Sequence, residues 1–150
     1  MRRSVSLLVV SLLLFCGASF AADVDEEAVK ARALGILGGE ARIFIIPARS
    51  GITDGAFKLA SMAKPSRMAK EISAYVSKAG QEELRVAFTG TKSAKTRLVV
   101  LQALSITEGD LPGLHATFFG ESEDEARVKE ALEAKKATYH NEKNPLPHLP

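Results

Sequence analysis

The sequence TGTKS at residues 89–93 combines a glycine, a lysine and hydroxyl side chains directly after the apolar stretch LRVAF. A strand that ends in a glycine turn and leads into a helix is a common way to hold a phosphate, because the first N–H groups of the helix point at the anion. Lys92 adds a cation and Ser93 a hydroxyl. The first question is therefore whether this turn is a nucleotide-binding loop.

The turn lacks the glycines that a nucleotide site requires. A phosphate-binding loop has two glycines ahead of its Lys-Ser/Thr pair, so that the backbone can wrap around the phosphates. When Lys92 and Ser93 are aligned on that pair, Thr91 takes the place of the second glycine and Val86 that of the first. The dinucleotide fingerprint also fails, since Gly90 is the only glycine of its set that is present. We therefore expect neither nucleotide hydrolysis nor a cofactor.

A simpler anion site is still compatible with this turn. Parallel sheets bind ligands at the carboxyl ends of their strands, and the sequences PARSG and TGTKS follow two of the predicted strands. The candidate residues for a small anionic or phosphorylated ligand are Arg49, Ser50, Gly90, Thr91, Lys92 and Ser93. We favour the alternative of an ordinary turn, in which Gly90 bends the chain and Ser93 caps the next helix.

No set of residues predicts a catalytic or metal site. Cys16, the only cysteine, lies in the N-terminal apolar segment, and the histidines His115, His140 and His148 lack metal-ligand spacing. We expect His115, at the start of the third predicted strand, to pack or pair locally. No serine lies in a G-x-S-x-G elbow, and Asp54 is interpreted as a helix cap. A hydrolase acting on envelope components is therefore our third hypothesis only.

The N-terminus has the order of residues found in a secretory signal. Two arginines precede an apolar run over residues 5–15, and small residues follow it. Ser19 and Ala21 suit the −3 and −1 positions, which predicts cleavage between Ala21 and Ala22. After cleavage no stable membrane span is expected, and we predict a periplasmic or secreted protein.

Two alternatives for this segment are an uncleaved anchor and a lipoprotein modified at Cys16. We favour simple cleavage, because Phe15 stands where lipoprotein processing needs a small residue. The predicted organisation is a signal peptide over residues 1–21, one domain over 22–140, and a disordered proline-rich tail over 141–150. A mature chain without cysteine has no disulfide bond, which suits a bacterial periplasm.

Charge is unevenly distributed along the chain, with a basic middle between acidic ends. We favour mutual neutralisation of these regions over a basic binding face. Nucleic-acid binding is not expected, since the middle has few aromatic side chains for stacking and the protein is predicted to be exported. The leading hypothesis is a non-catalytic accessory or interaction protein of the bacterial cell envelope, with a protein partner. The second hypothesis is the anion binder described above.

Hydrophobic periodicity predicts an N-terminal helix followed by three strand–helix units. The apolar positions of the first helix are Ala28, Ala31, Leu34 and Leu37, and Gly38-Gly39 ends it. ARIFIIPA reads as a strand buried on both faces. A short helix is expected near residues 57–63, and Pro65 is expected to open the next helix.

The helix that Pro65 is expected to open has an apolar stripe and a predicted left-handed end at Gly80. The stripe comprises Met68, Ile72, Val76 and Ala79. Ser122 and Glu125 predict a capping box for the last helix. Strands separated by helices predict parallel pairing. We therefore expect a small three-layer α/β sandwich with a mainly parallel sheet of about three strands; the alternative is an α+β domain with one antiparallel strand.

Overall fold

A computed structural model describes residues 24–47 and 64–148 of the chain. The helices in chain order are α1 (Glu26–Leu37), α2 (Arg67–Val76), α3 (Ser93–Ile106) and α4 (Ser122–Ala134). The strands are β1 (Arg42–Ile46), β2 (Leu84–Gly90), β3 (Leu114–Phe118) and β4 (Thr138–Tyr139). A 3₁₀ helix over Ser77–Gly80 follows α2 directly. The predicted signal peptide, the predicted helix near residues 57–63 and Asp54 lie outside the described residues.

The described strands form one four-stranded sheet in the order β1-β2-β3-β4. Every neighbouring pair is parallel, which confirms the prediction of an α/β fold. The alternative, an α+β domain with one antiparallel strand, is wrong for the described strands. The count of three strands was too low by one. The sequence does not predict β4, because a strand of two residues is too short to show an alternating pattern.

The two faces of the sheet carry separate apolar clusters, because successive side chains of a strand point to opposite sides. Val86 and Phe88 pack in the larger cluster with residues of α2, α3 and α4. Ala87, between them, packs against α1 in the smaller cluster. The described residues thus form a three-layer arrangement, with α2, α3 and α4 on one face of the sheet and α1 on the other.

Helix α1 ends at the predicted glycine, but it presents a different face to the sheet. Asp25 caps its first turn by accepting a hydrogen bond from Ala28 N, and Gly38 ends it with φ 65°. Its buried residues are Ala33, Ile36 and Leu37, whereas Leu34 is 49 % exposed. The predicted stripe was therefore wrong except at Leu37, since apolar residues surround this helix and periodicity alone did not select a face.

The apolar stripe of α2 is confirmed, but its two ends are not. Ser66 is the N-cap and accepts a hydrogen bond from Ala69 N, so Pro65 precedes the cap instead of opening the helix. A serine hydroxyl at this position satisfies one of the N–H groups that the first turn leaves unpaired. Gly80 is not left-handed, because the chain leaves α2 through the 3₁₀ helix.

The segment predicted as a disordered tail is described to His148 and contacts α1. Leu146 N–H donates to the carbonyl of Ile36 at 2.7 Å, and Arg32 Nη2 pairs with Glu142 Oε1 at 2.7 Å. We call residues 141–148 the C-terminal segment. Its disorder stays a prediction, against which these contacts argue. In the described part of the chain, no helix has the length and apolar character needed to cross a bilayer.

Candidate functional site

The TGTKS turn lies at the carboxyl end of β2, where the sequence places it. Gly90 is the last residue of β2, Lys92 is the N-cap of α3, and Ser93 is the first residue of the helix. Thr91 and Lys92 are exposed, and Ser93 is partly buried. Gly90, Thr91, Lys92 and Ser93 are thus brought together, while the other two candidates, Arg49 and Ser50, lie outside the described residues.

Ser93 does not cap α3 as predicted, because its hydroxyl is engaged by the neighbouring helix α4. Ser93 Oγ donates to Asp124 Oδ2 at 2.6 Å and accepts from Glu121 N–H at 2.8 Å. The Lys92 N-cap makes no side-chain cap hydrogen bond. This serine therefore joins the N-terminus of α3 to that of α4.

The predicted capping box of α4 is also wrong. Glu121 is the N-cap, without a side-chain cap hydrogen bond, and Ser122 is already helical. Glu125 instead accepts a hydrogen bond from Tyr139 Oη at 2.9 Å. Burial and this carboxylate raise the pKa of Tyr139 above its usual value. The pairing with β4 thus takes the glutamate that the capping-box pattern assigned to the helix.

Asp124 is the buried anion of this region, and sequence reasoning missed it. It is 5 % exposed, and Arg97 Nη1 donates to its Oδ1 at 2.5 Å. Its carboxylate lies in the first turn of α4 and contacts the first residue of α3, positions where helix dipoles favour negative charge. A ligand anion beside Ser93 would therefore meet a carboxylate that already occupies the favourable position.

Gly90 has a packing role that accounts for its place in the turn. A Cβ atom built at Gly90 would lie 2.2 Å from Thr96 Oγ1 and 2.7 Å from the Ile46 carbonyl oxygen. Thr96 is buried, and its hydroxyl donates to the Lys92 carbonyl at 2.9 Å. Only glycine lets β1, β2 and α3 approach this closely.

The strand order gives the end of β2 no ligand crevice of the usual kind. Open parallel sheets bind ligands where the strand order reverses and adjacent helices leave to opposite faces. Here the described strands follow one another in sequence order. The helices that follow β2 and β3, α3 and α4, pack together in the same cluster. The anion site nevertheless stays a prediction, with Thr91 and Lys92 as its exposed described members.

His115 was expected to pack or pair locally, and it pairs with His140, 25 positions further along the chain. The distance from His115 Nδ1 to His140 Nε2 is 3.0 Å, and His140 Nδ1 contacts the Asn144 carbonyl at 3.2 Å. Burial lowers the pKa of His140, and the nearby His115 lowers it further, while the hydrogen bond to Asn144 opposes them. Among the described residues, no group of three metal-ligating side chains converges on one point.

A groove of about 590 Å³ lies between α1 and β1, on the face of the sheet that carries α1. Its apolar walls include Leu34 and Ile43, and its rim carries Glu27, Lys30 and Arg42. We call it the α1–β1 groove. It exists because α1 packs mainly over β2 and β3, whereas β1 reaches the α1 cluster through the partly buried Ile43.

The α1–β1 groove could not be predicted from an assumed apolar stripe through Leu34. β1 was expected to be buried on both faces, and this holds on one face only. Phe44 and Ile46 are buried, whereas Ile43 and Ile45 are partly exposed. Among residues 24–47 and 64–148, β2 is the only strand that pairs with β1.

A second cavity, of about 260 Å³, lies at the carboxyl end of β3. Arg32 of α1, Phe119 and Glu125 line it, and Asn141 and Lys143 of the C-terminal segment form one wall. The Arg32 guanidinium stacks over the Phe119 ring, with its carbon 4.6 Å from the ring centroid. We call this the β3-end cavity.

No protein-family model matches the chain, and neither a curated protein nor a solved structure matches it.

Proposed function

We propose that the protein is an exported, non-catalytic interaction protein of the bacterial cell envelope, and that it binds a partner protein through the α1–β1 groove. The observation that carries this proposal is the exposed leucine of the groove: Leu34 is 49 % exposed, and the partly exposed Ile43 of β1 lines the same groove. Apolar side chains gathered around a concave surface are typical of sites that another molecule covers.

The partner chemistry that this surface fits is an extended, apolar peptide segment. β1 forms hydrogen bonds with β2 on one side, so its other edge presents N–H and C=O groups that no described strand pairs. An extended segment adds to such an edge through backbone hydrogen bonds, and its alternate side chains give specificity. In the groove these side chains would meet Ile43 and Leu34.

The rim of the groove carries both signs of charge at each end. Glu26 and Glu27 form ion pairs with Lys30 on α1, and Glu40 lines the groove together with Arg42 at the start of β1. Because these charges offset one another, the proposal rests on the apolar side chains and the strand edge rather than on charge.

Export is part of the proposal and is supported by the order of the N-terminal residues. A basic start, an apolar run and small residues at positions 19 and 21 match the requirements of signal peptidase cleavage. The test is the intact mass of protein recovered from the periplasm or the medium. A chain that begins at Ala22 is expected, and a chain that retains residues 1–21 would contradict export by cleavage.

The interaction is tested by site-specific photo-crosslinking in the cell. A photoactivatable residue at Leu34, in the groove, is expected to form a covalent adduct with one protein, which mass spectrometry identifies. The matched control places the same residue at Ala126, which is exposed on α4 on the opposite side of the sheet.

Peptides with sequences from the identified protein are then added to the purified protein. An apolar segment of it should shift NMR signals of α1 and β1 only. Equal adducts at Leu34 and Ala126, or peptide-induced shifts centred on α4, would contradict the proposal.

A further inference from the structure

We propose that the His115–His140 pair is a proton-operated latch that holds the C-terminal segment against α1 and releases it when both imidazoles are protonated. The proposal is independent of the α1–β1 groove. It assigns a function to two histidines that join β3 to the residues immediately after β4. Its basis is the order of donors and acceptors along the pair.

The hydrogen bonds around the pair fix which nitrogens carry protons at neutral pH. The Asn144 carbonyl only accepts, so His140 Nδ1 carries the hydrogen in their 3.2 Å contact. Neutral His140 then has a bare Nε2, and His115 Nδ1 donates to it across 3.0 Å. The second nitrogen of His115, Nε2, carries no hydrogen and lies 3.9 Å from Glu83 Oε1.

The geometry suits a hydrogen bond and not a chelated metal ion. The ring centroids are 5.2 Å apart while the facing nitrogens are 3.0 Å apart, so the two rings meet almost end to end. Imidazoles that share a tetrahedral metal direct their lone pairs to a point beside the line that joins the nitrogens. A third ligand is also missing among the described residues.

The pair takes up one proton without losing a contact. That proton goes to His115 Nε2, beside Glu83, and the hydrogen bond from His115 to His140 is unchanged. A second proton must go to His140 Nε2, which places two N–H donors face to face at 3.0 Å. Two positive rings in contact repel each other, and the second protonation therefore separates them.

His140 anchors the start of the C-terminal segment through its ring and through its main-chain N–H, which donates to the Ala116 carbonyl at 2.8 Å. Separation of the rings displaces the His140 side chain, and we infer that the turn bonded to that side chain moves with it. The hydrogen bond from His140 to the Asn144 carbonyl closes the turn over residues 141–144, in which Asn144 N–H also donates to Asn141 Oδ1 at 3.0 Å. Beyond the turn, Leu146 bonds to Ile36. Release would remove one wall of the β3-end cavity and expose Ile36 and Phe119.

Other charged groups surround the latch. Those on the elements packed around it are Glu83 and Arg85 next to His115, Arg32 of α1, Glu125 of α4, and Glu142 and Lys143 of the C-terminal segment. In model peptides imidazoles titrate near pH 6.5 and carboxylates near pH 4. A change from about pH 7.5 to about pH 5 therefore crosses the imidazole range of model peptides and stays above their carboxylate range.

The direction of the His140 pKa shift agrees with this sequence of events. Burial holds the pKa of His140 below its ordinary value of 6.5. At a pH between the lowered pKa of His140 and 6.5, the detached or unfolded form binds more protons than the latched form. The stability of the latch is therefore complete above pH 6.5 and falls as the pH drops toward the lowered pKa.

The test is amide hydrogen exchange of Leu146 in the purified protein, at about pH 7.5 and about pH 5, with each rate divided by its intrinsic rate at that pH. We expect the protection of Leu146 to fall about tenfold or more at the lower pH. Amides of β2 should stay protected, because only the segment opens.

Two substitutions and one control make the result specific. His115→Gln and His140→Gln are each expected to make Leu146 protection independent of pH, since a neutral amide either donates or accepts at the facing position. His148→Gln removes an imidazole of the same segment and should leave the tenfold fall unchanged.

Constant Leu146 protection in the unsubstituted protein would overturn the latch. So would an equal fall in His115→Gln and His140→Gln, a fall abolished by His148→Gln, or a simultaneous loss of protection in β2.

Discussion

The TGTKS turn and the α1–β1 groove differ in how far the chain satisfies their residues internally. In the turn, Ser93 bonds to Asp124 and to the Glu121 N–H. Thr96 and Ile46 occupy the space in which a side chain at Gly90 would lie. In the groove, Leu34 and the β1 side chains on the same face keep contact with solvent.

This difference reverses the order of interest that residue types suggest. Lysine, serine and glycine after a strand point to chemistry, yet their polar and steric requirements are largely met by neighbouring helices. Leucine and isoleucine point to a core, yet these ones lie where the core ends. The residues that the fold leaves unsatisfied are better guides to binding than residues of reactive type.

The largest expected effect is the difference in the free energy of unfolding between a substitution on the buried side of α1 and one on its exposed side. Leu37→Ala should lower the free energy of unfolding by about 2–5 kcal/mol, because Leu37 is 0 % exposed. Leu34→Ala should lower it by less than about 1 kcal/mol, since a half-exposed side chain loses little burial. Urea denaturation of both variants measures the difference. Equal costs would mean that the groove is covered within the protein itself.

The next effect concerns the turn. Asp124→Ala should cost about 2–3 kcal/mol, because it leaves Ser93 and Arg97 without their shared acceptor. Ser93→Ala should cost about 1 kcal/mol. Asp124 keeps Arg97 as a partner, and the N–H of the exposed Glu121, which Ser93 also accepts from, can bond to water. Denaturation of both variants and of the double variant gives their coupling. Additive effects would contradict a shared network.

A pair of glycine substitutions gives effects of opposite sign. Gly90→Ala should destabilise by about 1–3 kcal/mol, because its Cβ would clash with Thr96 and the Ile46 carbonyl. Gly35→Ala on α1, whose Cβ would meet nothing within 4 Å, should stabilise by about 0.5–1 kcal/mol through helix propensity. Thermal denaturation measures both. A neutral Gly90→Ala would show that the turn is open enough to admit a ligand.

The smallest effect is that of phosphate on the turn. Because Asp124 occupies the favourable anion position, phosphate should not raise the melting temperature of the protein, nor that of Lys92→Ala. The competing anion hypothesis expects a rise that Lys92→Ala abolishes. A thermal shift series with phosphate, and with chloride at equal ionic strength as the control, decides between them.

The fold class was predictable from sequence because alternation of apolar strands with helices is a pattern of whole segments. The predictions that failed concern local features of the fold. β4 is too short to carry a period, and α1 has apolar residues on too many sides to define one buried face. Helix ends were misassigned where a tertiary partner competes with a local cap, as Asp124 does for Ser93 and Tyr139 for Glu125.

The candidate sites were less predictable for a related reason. The TGTKS residues do lie together, because consecutive residues must. The Ser93–Asp124 contact spans 31 positions and the His115–His140 contact spans 25, and neither has a sequence spacing that signals it. The α1–β1 groove depends on which strands α1 covers, and that is a property of packing alone.

The most direct measurement of the central claim is the affinity of the partner segment identified by crosslinking for the unsubstituted protein and for Leu34→Lys. The account predicts at least about a tenfold weaker Kd for Leu34→Lys, with a free energy of unfolding within about 0.5 kcal/mol of the unsubstituted protein. Lys129→Ala, on the opposite side of the sheet, should leave the Kd unchanged. An unchanged Kd for Leu34→Lys would contradict the groove as the binding surface.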